Sequence, residues 1–598
     1  MDGGPSAEPA FLGVERSVTG RRWRARPGDM RAAAAVSERY GLPEIVGRML
    51  AQRGVDPDEA PGFLAPRLRD RLPDPSHLVD MDRAVARILL AVQRGERIVV
   101  FGDYDVDGAT SAALLRRFFA AVGIDVGVYV PDRMREGYGP NAPALARLKA
   151  EGAGLVVTVD CGTTAHEPLA AAAADGLDVI VIDHHVAEPL LPKAFAVVNP
   201  NRLDEASPHG NLAAVGLVFL LVIGVNRALR AAGWYAARAE PDLLLWLDLV
   251  ALGTVCDVVP LTGLNRALVA QGIRVARGGG NAGFAALASI AGMSGPVDAY
   301  QLGFGIGPRV NAGGRVGAAD LGARLLATDD RALAAELAQR LDGHNRERRE
   351  IEAAALEQAI AQVEATPQSP SLVFVANQGW HPGVIGIVAA RLKDRYNRPA
   401  CVVAVDGGVG KGSGRSIPGI ALGPAVIAAR QAGLLLNGGG HAMAAGFTVA
   451  SGRVEELREF FAARLGEGLD VAGLVPELSF DGALSAAAAQ ARLIDHIDAL
   501  APFGSANPEP RFAFPSLRVV HAEPVGTGHL RVTLADVLGE GQLRAIAFRV
   551  GGLPLGEFLA GMRGRAVNVA GHLRRDTWRG GDAVQLQIDD AAMPPERP

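Results

Sequence analysis

Residues Arg97–Gly108 read RIVVFGDYDVDG. An apolar, β-branched run stops at Gly102, and three carboxylates follow at alternate positions, Asp103, Asp105 and Asp107. The run is short and apolar throughout, as in a strand buried on both faces. The pattern recurs at Asp125–Val130, Leu155–Val159 and Asp178–Ile182, with helical period between at Thr110–Val122, Ala142–Ala150 and Pro168–Ala174. Strands alternating with helices read as βαβ units and hence as a parallel sheet. In open α/β sheets, ligands bind beyond the carboxyl ends of the strands. Those ends carry Asp103, Asp160 and Asp183, so the alternation gathers three acidic motifs on one rim.

Outward from this core, residues 318–365 form an Ala-rich stretch with Arg and Glu, read as a connecting helix broken near Asp342-Gly343. A second strand–helix region starts at Leu372–Ala376 and is glycine-dense at Gly407–Gly414 and Asn437–Gly440. Beyond it, short β runs at Leu517–Val520, Leu530–Leu534, Leu543–Phe548 and Val584–Ile588 are spaced by Gly and Pro turns, the pattern of a small OB-type barrel. At about 100–200 residues per domain, 598 residues hold three to five domains. Hydrophobic residues at 49% and charged residues at 21% exclude a disordered chain or a disulfide scaffold. Cys161, Cys256 and Cys401 are far apart without CxxC spacing, which points to a reducing, cytoplasmic setting. The N-terminal stretch lacks the apolar core of a signal peptide, despite Arg21-Arg22. Leu212–Val225 falls short of the roughly 18 residues a bilayer span needs, and Leu243–Val259 is interrupted by Asp248 and Asp257, so no membrane association is expected.

Four segments carry chemistry. In DYDVDG, an extended backbone points Asp103, Asp105 and Asp107 the same way, and like charges so close call for a cation. An Asp ahead of a helix is also an ordinary N-cap, so this motif alone leaves both readings open. An EF-hand is excluded because an apolar helix follows where further oxygen ligands are needed. The second segment is Val159-Asp160-Cys161-Gly162 and the third Asp183-His184-His185, in which imidazole joins carboxylate as a transition-metal ligand. In the fourth, GTVCDVVP, Asp257 lies in an apolar run and needs a partner. Cys161 and Cys256 sit beside these candidates; on strands they face away from them and read as small buried fillers. The set is oxygen-rich with imidazole and without thiolates. It suits Mn²⁺ or Mg²⁺ rather than structural zinc, and two such ions close together serve phosphoester hydrolysis.

DYDVDG, VDCG, DHH and GTVCDVVP, in that order, resemble the motifs of the DHH phosphoesterase superfamily. Leu72–Gly108, PDRMREGYG at 131–139, GIGPRVNAGGR at 305–315, HPGVIGIVAAR at 381–391, GSGRS at 412–416, GGGH at 438–441 and LAPFGSANPEPRF at 500–512 extend the resemblance to its branch of single-strand-specific exonucleases. It covers roughly residues 40–590. It implies an N-terminal extension on the catalytic core (1–75), a parallel-sheet DHH catalytic domain (76–317), a long connecting helix (318–365), a smaller α/β DHH-associated domain (366–468) and a C-terminal OB-fold barrel (469–598). It further implies 5′→3′ hydrolysis of single-stranded DNA to 5′-mononucleotides, in DNA repair and recombination, by a monomer served by two Mn²⁺ or Mg²⁺ ions. A helicase and a single-strand-binding protein are the partners it suggests. Carried over by position, Asp105, Asp107, Asp160, His184 and Asp257 are metal ligands, with Asp160 bridging. Asp103 is a further ligand or supports one, and His185 meets the scissile phosphate or the attacking water. Arg309, Arg315, Ser413, Arg415 and His441 are candidates for holding the DNA 5′ end and backbone. Many small DHH enzymes have a His four residues before the first ligand, where this chain has Phe101; that departure argues against a pyrophosphatase.

The charge distribution adds a separate signal. Of 60 Lys and Arg only four are lysine (Lys149, Lys193, Lys393 and Lys411), a skew that codon bias explains. The net charge is −5, yet Arg511–Gly580 holds ten Arg against five acids. A basic barrel carrying Phe512, Phe514, Phe548 and Trp578 suits backbone attraction with base stacking, Trp578 being the stacking candidate and the three Phe favouring the core. Two alternatives are a cyclic-dinucleotide phosphodiesterase or oligoribonuclease of the same superfamily, and a non-catalytic scaffold. The barrel speaks against the first and the full set of ligands against the second.

Overall fold

The computed structural model describes residues 9–133, 135–365, 369, 371–467, 475–537, 541–576 and 582–595. They form two compact units, residues 67–469 with 504–506, and residues 1–66 with 470–503 and 507–598.

In the first unit, Arg97–Gly102 (β1), Gly127–Tyr129 (β2), Ala153–Val159 (β3), Asp178–Ile182 (β4) and Ala196–Val198 (β5) form a parallel sheet in the order β2-β1-β3-β4-β5. Ile98 and Val100 enter one core while Val99 and Phe101 enter another, which explains an apolar run without alternation. The second face is covered by α2 (Ala142–Ala150) and α3 (His166–Ala174). Strand order reverses at β1, between β2 and β3, which opens a crevice at the carboxyl ends where Asp103 and Asp160 emerge.

Two local readings are corrected. Helix α1 (Val106–Ala121) begins ahead of Thr110, because the Asp105 side chain accepts the Gly108 N–H (3.1 Å) and caps it. Asp103, Asp105 and Asp107 are therefore a loop residue, an N-cap and a first-turn residue rather than one extended face. GTVCDVVP is not a strand either: α5 (Leu247–Cys256) ends there, with Asp257 as its C-cap. Ahead of it α4 (Ala214–Ala231) runs past Val225 and is, by length and composition, long enough to cross a membrane. Its Leu217, Leu220, Leu221 and Val222 are instead spent in the core.

After α6 (Gly307–Val316), α7 (Arg331–Ala365) runs unbroken for 35 residues. The expected break at Asp342-Gly343 is absent because Asp342 pairs with Arg309 (2.9 Å) and Arg346 (3.3 Å), while Leu337, Leu341 and Asn345 are buried around it. One glycine costs such a helix only about 1 kcal/mol. The sheet that follows comprises β6 (Val373–Gln378), β7 (Ala400–Asp406), β8 (Val409–Arg415), β9 (Asn437–Gly440) and β10 (Ala444–Ala450), ordered β9-β10-β8-β7-β6, with only β6 and β7 parallel.

In the second unit, β11 (Phe512–Val525), β12 (His529–Ala535), β13 (Gln542–Ala547), β14 (Ala566–Arg575) and β15 (Val584–Ala592) close a barrel in the cycle β11-β12-β13-β15-β14-β11. Of residues 1–75, expected on the catalytic core, those up to 66 belong here, and only 67–75 stay with the first unit. Strand Arg22–Ala25 pairs in parallel with Glu477–Phe480, and buried Trp23 donates its Nε1–H to Asp590 (3.0 Å). Val36, Val46, Met49 and Leu50 share a core with Phe512 and Phe514. Phe548, in contrast, is 47% exposed and not a core residue. Arg511, Arg531, Arg574 and Arg575 pair with Asp589, Glu523, Glu509 and Asp495, so the barrel's surface is less basic than its arginine count. Trp578 lies outside the described residues.

Candidate metal centre

Seven expected residues converge at the crevice in three interlocking groups: Asp103, Asp105 and Asp160; Asp107, His184 and Asp257; Asp160, His184 and His185. Within each group the ligand atoms lie within 4.8 Å of one another. Asp160 joins two groups and His184 joins two, which is the arrangement a pair of neighbouring cations needs.

Each ligand is placed by local structure. Asp160 turns off the end of β3 with φ 62°, a left-handed conformation. Asp107 accepts the N–H groups of Ala214 (2.6 Å) and Val215 (2.9 Å), at the start of α4. Asp257 arrives from the end of α5, 3.6 Å from His184 Nε2. The same nitrogen is 3.3 Å from Asp160 and 4.0 Å from Asp107. Two glycines make room. A Cβ on Gly108 would lie 2.4 Å from the Asp103 carbonyl, and one on Gly253 would lie 3.0 Å from the Asp107 carboxylate.

The electrostatics demand a cation. Burial, then Asp105, pushes the Asp103 carboxyl well up and Asp107 to about 7. Burial and Asp107 lift Asp257 to about 9, and burial with four neighbouring carboxylates raises Asp160 as well. One atom of each of Asp103, Asp160, His184 and Asp257 is buried without a hydrogen-bond partner. Buried orphan atoms of this kind are costly, and a divalent cation would satisfy them together. Burial, then the charge of His185, lowers His184 to about 4, keeping it the neutral imidazole a metal requires. The donors are oxygen-rich with one or two nitrogens, so the residues fit Mn²⁺ or Mg²⁺.

His185 is held differently. Its Nδ1–H donates to Asp183 (2.7 Å), and although burial opposes it, this bond lifts His185 to about 9. Asp183, which also accepts the N–H groups of Thr163, His184 and His185, is kept far below the usual carboxylate range despite its burial. Asp183 was visible in the sequence, but its part as an orienting group was not. Tyr138, also missed, donates to the Asp160 carbonyl (3.0 Å) and lies 3.3 Å from His185 Nδ1.

The structure splits the expected DNA contacts. Half-buried Arg315 donates to the Gly383 carbonyl (2.8 Å), and Arg415 to Ser413 Oγ (3.1 Å). Burial, then the charges of Arg133 and Arg348, lowers Arg315 to about 10, and burial and Arg133 lower Arg415 too. Arg133 stacks on the ring of Tyr104 (4.9 Å). These guanidiniums repel one another beside the acidic cluster, a setting for a bound phosphate. Arg133 was legible only through its segment PDRMREGYG. Arg309, by contrast, is committed to Asp342 and the Gly305 carbonyl, and His441 is exposed on the turn between β9 and β10.

Comparison with known proteins agrees with this geometry. Residues 97–254 match the N-terminal domain of the DHH family, 369–467 the DHHA1 domain, and 480–590 the RecJ OB domain. The chain is 39% identical to the single-stranded-DNA-specific exonuclease RecJ of Dickeya dadantii over 92% of its length and 96% of that protein's. Against the Escherichia coli RecJ it is 36% identical, over 92% and 96%. It superposes on Thermus thermophilus RecJ in complex with Mn²⁺ with a TM-score of 0.79 at 31% identity, covering 96% of this chain and 79% of that one. Similarity of that extent, across all three modules in the same order, makes this chain a member of the RecJ family.

Proposed function

We propose that this chain is a divalent-metal-dependent exonuclease that removes 5′-mononucleotides from the 5′ end of single-stranded DNA. The observation that carries the reading is the convergence of seven carboxylate and imidazole side chains, with orphaned buried atoms, beside a guanidinium cluster. Asp103, Asp105, Asp107, Asp160, His184 and Asp257 would hold two Mn²⁺ or Mg²⁺ ions. Such ions supply charge neutralisation at phosphate and a lowered pKa for the attacking water. His185, protonated and oriented by Asp183, donates from Nε2 towards the scissile phosphate. Arg133, Arg315, Ser413 and Arg415 grip the terminal phosphate, so that polarity follows from where the 5′ end is held. Arg309 acts by positioning α7 rather than by touching DNA, and His441 contacts the backbone further out.

The same reading places the enzyme in repair and recombination, in the cytoplasm, as a monomer working with a helicase and a single-strand-binding protein. A direct test offers a 5′-labelled single strand, its duplex and a cyclic dinucleotide with Mn²⁺. Release of labelled mononucleotide from the single strand alone is expected; cleavage of the dinucleotide alone would overturn the reading.

A further inference from the structure

Tyr300 and Phe304 are large aromatic side chains that stay 68% and 66% exposed. Their rings lie against each other, centroids 4.8 Å apart and planes 30° from parallel. Phe304 stands on a π-helical turn, Gln301–Ile306, immediately ahead of α6, and Tyr300 is the N-cap of that turn. Such turns are rare and concentrate at functional sites. The inner face of the turn is fixed: Leu302 and Ile306 are buried, and the Leu302 carbonyl lies 3.7 Å from Cys256 Sγ. Gly303 and Gly307 let it approach, since a Cβ would meet Val255 at 3.4 Å and Cys256 Sγ at 2.4 Å. The turn therefore rests on the last residues of α5, directly before Asp257. At the other end of α6, a Cβ on Gly314 would lie 2.3 Å from the Tyr104 carbonyl, between Asp103 and Asp105. The segment Tyr300–Arg315 is thus anchored at both ends to backbone that carries metal-centre carboxylates. Helical rise puts Phe304 about 16 Å along it from Arg315.

Two large rings held together in water, on a turn whose other face is fixed, offer a flat apolar contact surface. A protein partner would need a broad apolar rim. The segment that bears this pair instead runs on to Arg315 and packs on the backbone beside Asp257, Asp103 and Asp105, features that suit a polyanion with flat apolar faces. We propose that Tyr300 and Phe304 form a stacking platform for a nucleobase of the single strand, a few nucleotides from the scissile phosphate. The assignment rests on the nuclease reading above and names a contact that reading does not use. Because every base has a π-face, the platform tolerates any sequence but fails where a base is missing. Degradation accordingly slows whenever an abasic residue reaches it.

The test compares the full chain with Tyr300→Ala/Phe304→Ala and with Tyr300→Leu/Phe304→Leu, which keeps apolar bulk without rings. Substrates are a single-stranded oligonucleotide, the same strand with one abasic residue scanned inward from the 5′ end, and thymidine 5′-(p-nitrophenyl phosphate), too small to span the distance. For the oligonucleotide, both double variants should raise KM about tenfold with kcat little changed, and the small ester should be cleaved at the wild-type rate. In the wild type, one abasic position should raise KM by a similar factor, and that position should become neutral in both variants. Wild-type KM in the Ala variant, a persisting abasic penalty, or full rescue by Leu would each overturn the platform. A wild type inert on the single strand would instead remove the nuclease reading itself.

Discussion

Asp160 holds its carboxylate on a left-handed backbone among like charges, a conformation and a setting that both cost stability. Asn tolerates the same backbone and removes the charge. Asp160→Asn is therefore expected to raise the melting temperature of the metal-free protein by a few degrees while abolishing calorimetric Mn²⁺ binding and hydrolysis. Asp160→Ala should lose hydrolysis too, with DNA binding retained at least in part by gel shift. The raised carboxyls also set a pH dependence. Asp107 at about 7 and Asp257 at about 9 hold protons that the unfolded chain releases near pH 4. Their contribution to the stability of the metal-free fold is complete below about pH 4 and is lost as pH rises through 7 to 9. The metal-free melting temperature should thus fall across that range, and the increment from Mn²⁺ should grow, since binding must displace protons. A flat increment between pH 6 and 9 would contradict the assignment.

At the scale of the element, glycines decide where helices can go. Gly253 on α5 lets that helix approach Asp107: a Cβ there would lie 2.4 Å from Thr110 Oγ1 and 2.8 Å from Val215 Cγ1. Gly253→Ala should cost about 1–3 kcal/mol in a denaturant melt and weaken metal binding, because α1 and α4 must yield around a ligand. Gly343 is the opposite case. Open space surrounds its Cβ position in the middle of α7, so Gly343→Ala should stabilise by about 0.5–1 kcal/mol. The same contrast explains what could be read from the sequence. The strands before Asp103, Asp160 and Asp183 were legible because both faces are buried and their runs are unbroken. Asp257 was legible as a lone acid in an apolar run, but its helix was not, since a short buried apolar segment fits strand and helix alike. The helix in α7 was hidden by an Asp-Gly pair whose cost tertiary packing absorbs. Strand β14 was hidden by a shift in register between Ala570 and Gly571, which interrupts its alternation. The orienting part of Asp183 depends on contacts that no spacing encodes.

Across the whole molecule, the barrel shares its cores with residues from the other end of the chain. Trp23→Ala would leave a cavity and strip the buried Asp590 carboxylate of its indole donor, so a loss of about 3–5 kcal/mol is expected in the melting of this unit. Deleting residues 1–66 should make segment 475–595 sensitive to limited proteolysis while 67–469 stays protected. Equal protection of both would show that the barrel does not need the N-terminal segment packed on it. The pairing also has a consequence in time. Trp23 and Asp590 are 567 positions apart. At about 5–20 residues per second on the ribosome, the first segment waits roughly 30–110 s for its partner to be made. Through that interval the nascent chain exposes Trp23, Met49 and Leu50 while the nuclease unit folds behind them. Translation speed and holdase supply should therefore govern the yield of this protein more than the stability of either unit alone.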